Sequence, residues 1–85
     1  MAERITDYAF SSRFQKEYKA LSKEMQEAFD KKLSLFLDNF QHPSLRVKRI
    51  TGTIDRWEGS VTMNYRFTFQ FEAGKVLFRR IGTHD

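Results

Sequence analysis

The stretch Tyr65-Arg66-Phe67-Thr68-Phe69-Gln70-Phe71 alternates aromatic and polar residues without a break. Successive side chains of a β-strand point to opposite faces, so the four rings share one side and Arg66, Thr68 and Gln70 the other. The ring face must pack on another layer, while the polar face stays wet. A turn at Ala73-Gly74 leads into Lys75–Ile81, which reads as the antiparallel neighbour. Upstream, Leu45–Ile50 and Arg56–Thr62 read as two more strands, with turns at Thr51-Gly52-Thr53 and Met63-Asn64.

Before Pro43 the period changes. Phe14, Tyr18, Leu21, Met25, Phe29, Leu33, Phe36 and Phe40 recur every three or four residues, the spacing of one buried helical face. Ser11 or Ser12 can cap the start, and Ser22 followed by Glu24 divides the run into a helical hairpin, 12–20 and 23–40. Pro43 ends it and holds His42 in a loop. Leu33, Leu35 and Leu37 give the second helix more apolar surface than one stripe needs, which a docked partner segment or a buried helix end would explain. Arg4–Tyr8 reads as a short leading strand. The expected architecture is α+β: an N-terminal strand and helical hairpin packed on a twisted, mainly antiparallel four- to five-stranded sheet, in one domain spanning 1–85.

The net charge of +4 is unevenly placed. Residues 1–40 hold seven basic and seven acidic side chains, whereas 41–85 hold eight basic and four acidic. That imbalance suits a polyanionic partner. The chain has no cysteine, so disulfide and thiol chemistry are excluded and a reducing compartment suits it. His42 and His84 are too few for a zinc site without thiols, and no cofactor is expected. With no leader pattern and no apolar run near the ~18 residues of a membrane span, a cytoplasmic protein is expected. No P-loop, dinucleotide fingerprint or Ser-His-Asp order is present.

The strand arginines and lysines are the candidates for binding. Alternation places Arg46 with Lys48 on one face and Arg66 opposite the ring ladder; Arg49, Arg56, Arg79 and Arg80 add further cations. Several strands offering guanidinium groups to one concavity would hold a phosphate backbone; solvated charges that guard a sheet edge are the plain alternative. His84, directly after the last strand, can move a proton near neutral pH, or simply stand exposed. Trp57 and Tyr65 can stack on bases or pack in the core, and Trp57 is in phase with Val61, which favours the core. Glu58 has no acidic partner at catalytic spacing.

The order of elements, with Leu45-Arg-Val-Lys-Arg-Ile-Thr-Gly52, Trp57-Glu58, Asn64-Tyr-Arg-Phe67 and Arg79-Arg-Ile-Gly-Thr-His-Asp85, resembles the RelE/ParE superfamily of bacterial toxins. The likeness covers nearly the whole chain and is closest to the YafQ and YoeB branches. It implies a microbial RNase fold and a metal-independent mRNA interferase, in which the RNA 2′-hydroxyl attacks its own phosphate in the ribosomal A site. It also implies a cognate antitoxin. By position, Arg66 matches the strand arginine at the scissile phosphate, and Arg80, or Arg79, the arginine before Gly-x-His. His84 matches the general acid or base, Tyr65 the aromatic position, and Arg46, Lys48 and Arg49 the RNA-holding strand. Three positions depart from the pattern. Asn64 stands for an acid, Ser60 for a second histidine, and no aromatic residue follows His84. ParE-like members share the fold but inhibit DNA gyrase by binding, so a gyrase inhibitor or a catalytically silent binding module stays open beside the nuclease.

Overall fold

The computed structural model describes Ile5 and residues 7–83. Two helices lie on one side of a five-stranded mixed sheet, so the α+β expectation holds. The elements are β1 (Tyr8–Phe10), α1 (Ser12–Lys19), α2 (Lys23–Asp38), β2 (Lys48–Arg49), β3 (Arg56–Ser60), β4 (Tyr65–Glu72) and β5 (Lys75–Thr83). In space the strands run β1-β5-β4-β3-β2, with β1 parallel to β5 and every other pair antiparallel. Among the described residues no helix is long and apolar enough to cross a membrane.

The two helix starts follow directly from their serines. Ser11 and Ser22 sit in extended conformation and accept the N–H groups of Phe14 and Met25, satisfying donors that a bare helix start leaves unpaired. Phe14, Phe29 and Phe36 then face the sheet, where they meet Phe67, Phe69, Phe78, Val76 and Ile81, all at most 3% exposed. Ring centroids in this core stand 4.8 to 6.5 Å apart, in edge-to-face, tilted and stacked arrangements. The surplus apolar surface of α2 is turned inward too: Leu33, Leu35 and Leu37 pack against this cluster, and Ile5 joins them.

Three expectations need correction. The leading strand is Tyr8–Phe10 rather than Arg4–Tyr8, because Ile5 gives its N–H to the Leu37 carbonyl (2.8 Å) and so belongs to the end of α2; Arg4 and Thr6 lie outside the described residues. Leu45–Ile50 is not one strand. Pro43–Leu45 forms a 3₁₀ turn, started by proline and capped by the His42 ring accepting the Ser44 N–H, and it buries Leu45 completely. Arg46 follows in left-handed conformation (φ 49°, ψ 45°), leaving only Lys48 and Arg49 to pair with β3. The alternation that would set Arg46 beside Lys48 is therefore broken. Finally, α2 ends at Asp38, not Phe40, although the Phe40 ring still contacts Phe36 and Phe71.

The β4–β5 hairpin departs from strict alternation in a way that positions the site. Glu72 pairs with Lys75 across Ala73-Gly74, both at positive φ (51° and 81°), as a tight two-residue turn requires. The register then slips: Phe69 faces Phe78 but Thr68 faces Arg80, leaving Arg79 as an extra, bulged residue. Without it, Arg80 would point into the core with Val76 and Phe78. The bulge resets the phase, so Ile81 takes the buried place (3% exposed) and both arginines look outward.

Candidate active site

Strand pairing gathers polar side chains on the face away from the helices. Glu58 lies opposite Thr68, Ser60 opposite Arg66, Arg66 opposite Gly82 and Thr68 opposite Arg80. A cleft of ≈ 400 Å³ opens there, lined by Arg66, Arg80, Glu58 and Glu17 among others, and ended by Thr83.

Arg66 is held firmly. Its Nη1 donates to the carbonyls of Thr62 (2.8 Å), Met63 (2.9 Å) and Tyr65 (3.2 Å), and its Nε stands 3.9 Å from a Glu58 carboxylate oxygen. The guanidinium thus clasps the β3–β4 turn while keeping its charge at the cleft wall. Lys48 reaches the same Glu58 oxygen from the rim at 3.8 Å. On the opposite wall Arg80 donates to Glu17 of α1 (3.1 Å). The other Glu17 oxygen accepts the Ile81 N–H (3.1 Å), an edge donor of β5 beyond the reach of β1. Burial pushes the Glu17 carboxyl up, but the Ile81 N–H, Arg80 and Arg13 outweigh it and hold the group below its ordinary value. Two cations face one another across the cleft, each partnered by one carboxylate. An entering anion could draw on both guanidinium groups, with Glu17 and Glu58 as the partners it competes against.

The remaining sequence candidates are distributed over the sheet. Arg79 donates to Gln70 (2.6 Å), which donates to Glu72 (2.7 Å), and Arg56 pairs with the same Gln70; these form a separate polar row toward the far end of the outer face. Arg49 does not share the cleft face, since it pairs with Trp57 and lies over the indole ring at 5.1 Å. Trp57 and Tyr65 are half-buried and pack against the core cluster, on the opposite face from Arg66. Arg46 stands apart from Lys48, in a neighbouring pocket that also touches Arg66. Asn64 is exposed in the turn, and His84 lies outside the described residues, after Thr83. Sequence reasoning missed Glu17 and undervalued Glu58. For Glu58 the antiparallel pairing with Lys48 was an available signal. For Glu17, 63 residues distant from Arg80, there was none.

No protein-family model matches the chain, and no curated protein matches it. Solved structures do. A chain of the E. coli DinJ–YafQ toxin–antitoxin complex is 17% identical, with a TM-score of 0.77 over 92% of this chain and 91% of that one. The Staphylococcus aureus YoeB dimer gives 12%, 0.71, 98% and 100% in the same order, and the E. coli RelBE toxin–antitoxin complex gives 22%, 0.70, 93% and 96%. The chain thus shares its fold with the YafQ, YoeB and RelE structures.

Proposed function

We propose that this chain is the toxin of a toxin–antitoxin pair and acts as a cytoplasmic, ribosome-dependent endoribonuclease, in one domain. The observation that carries the reading is the cleft in which Arg66 and Arg80 converge, within a fold shared with the YafQ, YoeB and RelE toxins. The two guanidinium groups would bind the scissile phosphate and offset the charge that builds on its oxygens. The RNA 2′-hydroxyl would lose its proton to solvent and attack phosphorus, closing a 2′,3′-cyclic phosphate as the bond to the 5′-oxygen breaks, and His84 would give that leaving oxygen its proton. Lys48 would hold the backbone at the rim, and Arg46, Arg56 and Arg79 would extend the RNA-binding surface, which leaves out Tyr65 and Arg49 on the other face of the sheet. Complexes such as DinJ–YafQ and RelBE support a cognate antitoxin as the protein partner.

Primer extension on messenger RNA after brief induction tests this. Discrete cuts in the wild type that vanish in Arg80→Ala and His84→Gln are the expected result. Intact message with arrested growth would shift the reading to gyrase inhibition by a ParE-like mode. Intact message with normal growth would leave a silent binding module.

A further inference from the structure

A smaller pocket of ≈ 210 Å³ adjoins the cleft where α2, the Pro43–Leu45 turn and the β3–β4 turn meet. Lys32, Arg46 and Arg66 line it, together with Ser44, Ser60 and Thr62, and no carboxylate is among its lining residues. Arg66 already has Glu58 beside its Nε at 3.9 Å, but Lys32 and Arg46 add two further charges from separate elements, whose mutual repulsion an anion among them would relieve. Their placement is built. Lys32 Nζ lies 3.4 Å from the Ser44 carbonyl, and Arg66 is clasped by the Thr62 and Met63 carbonyls. Arg46 enters from a left-handed backbone conformation that glycine would adopt at less cost, the kind of local strain that gathers at ligand sites.

The hydroxyl groups point the same way. Ser60 is only 8% exposed, and among the described residues its side chain has no hydrogen-bond partner, yet it lines this pocket. Thr62 Oγ1 accepts from the N–H groups of Asn64 and Tyr65, both at 3.3 Å, so its own hydrogen is left to donate. Unused donors beside three cations suit an acceptor-rich anion.

We propose that this pocket is a second phosphate subsite, taking the phosphodiester next to the one bound in the cleft, with Arg66 as the wall between them. The assignment of a phosphodiester rests on the nuclease reading of the cleft. The two charged non-bridging oxygens of a phosphodiester can each accept more than one hydrogen bond, so Lys32, Arg46, Arg66 and a hydroxyl can share them. The volume exceeds that of several waters at ~30 Å³ each, leaving room for phosphate and part of a sugar.

The test uses the whole protein and two probes, inorganic phosphate and a 2′-deoxy oligonucleotide that cannot be cleaved. Phosphate should shift the amide resonances of Ser44, Arg46 and Thr62 in the wild type but not in the Lys32→Gln/Arg46→Gly double variant. Glycine at 46 relieves the backbone, so the fold is expected to persist, and thermal melting checks it. Oligonucleotide affinity should fall about tenfold in the double variant, and the slope of log K against log salt should drop by ~0.7, one phosphate's share on a single strand. Lys23→Gln, at the exposed start of α2, should change neither. Equal slopes in the double variant and Lys23→Gln, with Arg80→Ala still weakening binding, would overturn the second subsite and leave the cleft intact. Phosphate uptake without oligonucleotide binding would overturn the phosphodiester assignment and the nuclease reading together. Displacement of the oligonucleotide by polyglutamate through these three amides alone would assign the pocket to an acidic partner chain instead.

Discussion

Gly59 shows how little room a single residue has beneath the sheet. It faces Phe67 across the β3–β4 ladder, and a Cβ built there would lie 2.5 Å from the Phe67 ring. That ring is 1% exposed and has nowhere to go. Gly59→Ala is therefore expected to cost about 1–3 kcal/mol, an overpacking penalty rather than a conformational one. Urea denaturation checks it, and a midpoint equal to the wild type would show that the ring can yield. Glu17 makes a second single-residue case. Its folded-state pKa lies below the unfolded value of 4.5, so its contribution is present above that value and lost as pH falls through the folded one. Glu17→Gln should lower stability by about 1 kcal/mol at neutral pH. The gap between the two proteins should close in acid below 4.5, as read by thermal melts across pH; a gap that stays constant would mean that the carboxylate's charge is not what matters.

At the scale of elements, α1 is fastened to β5 at both ends. Ser11 gives its N–H to Phe78 (2.9 Å) and its hydroxyl to the carbonyl of the bulged Arg79 (2.8 Å), while accepting the Phe14 N–H. One side chain thus caps the helix and satisfies the bulge. Ser11→Ala is expected to cost about 1–2 kcal/mol, against little for Ser12→Ala, with the denaturation midpoint as the measure. The helices were legible in the sequence because eight apolar residues keep the 3.6 period without interruption, and Arg66 was legible because it opposes a ladder of rings. The Pro43–Leu45 turn was not, since Leu45, Val47 and the cations between them imitate a strand; only burial of Leu45 reveals the competing geometry. The outward turn of Arg80 was equally hidden. Read by period two from Phe78, it belongs inside, and the bulge that reverses it is announced only by the buried Ile81 three residues after Phe78. Glu17 escaped because it comes from a segment 63 residues from Arg80.

The whole molecule depends on one aromatic core serving both layers. Phe36 is fully buried and touches the rings of Phe40, Phe67, Phe69 and Phe78, at 6.1, 5.7, 4.8 and 5.3 Å between centroids. Phe36→Ala should cost about 3–5 kcal/mol. A chain of 85 residues holds roughly 4–13 kcal/mol in total at 0.05–0.15 per residue, so much of the stability would go. Calorimetry should show a transition tens of degrees lower or none; a shift of only a few degrees would mean that neighbouring rings close the gap.

The strand order also sets when a growing polypeptide acquires its chemistry. Helices α1 and α2, with most of the surface they must cover still unsynthesised, precede every strand except β1, and β1 has only β5 to pair with. Both the bulge that turns Arg80 outward and the ledge that receives Ser11 and Glu17 lie in β5. At ~5–20 residues per second, ribosomal elongation would expose the basic strands seconds before the opposite wall arrives. A nascent chain accordingly has no closed cleft until β5 docks, and anything that held that strand away would leave Arg66 without the guanidinium that faces it.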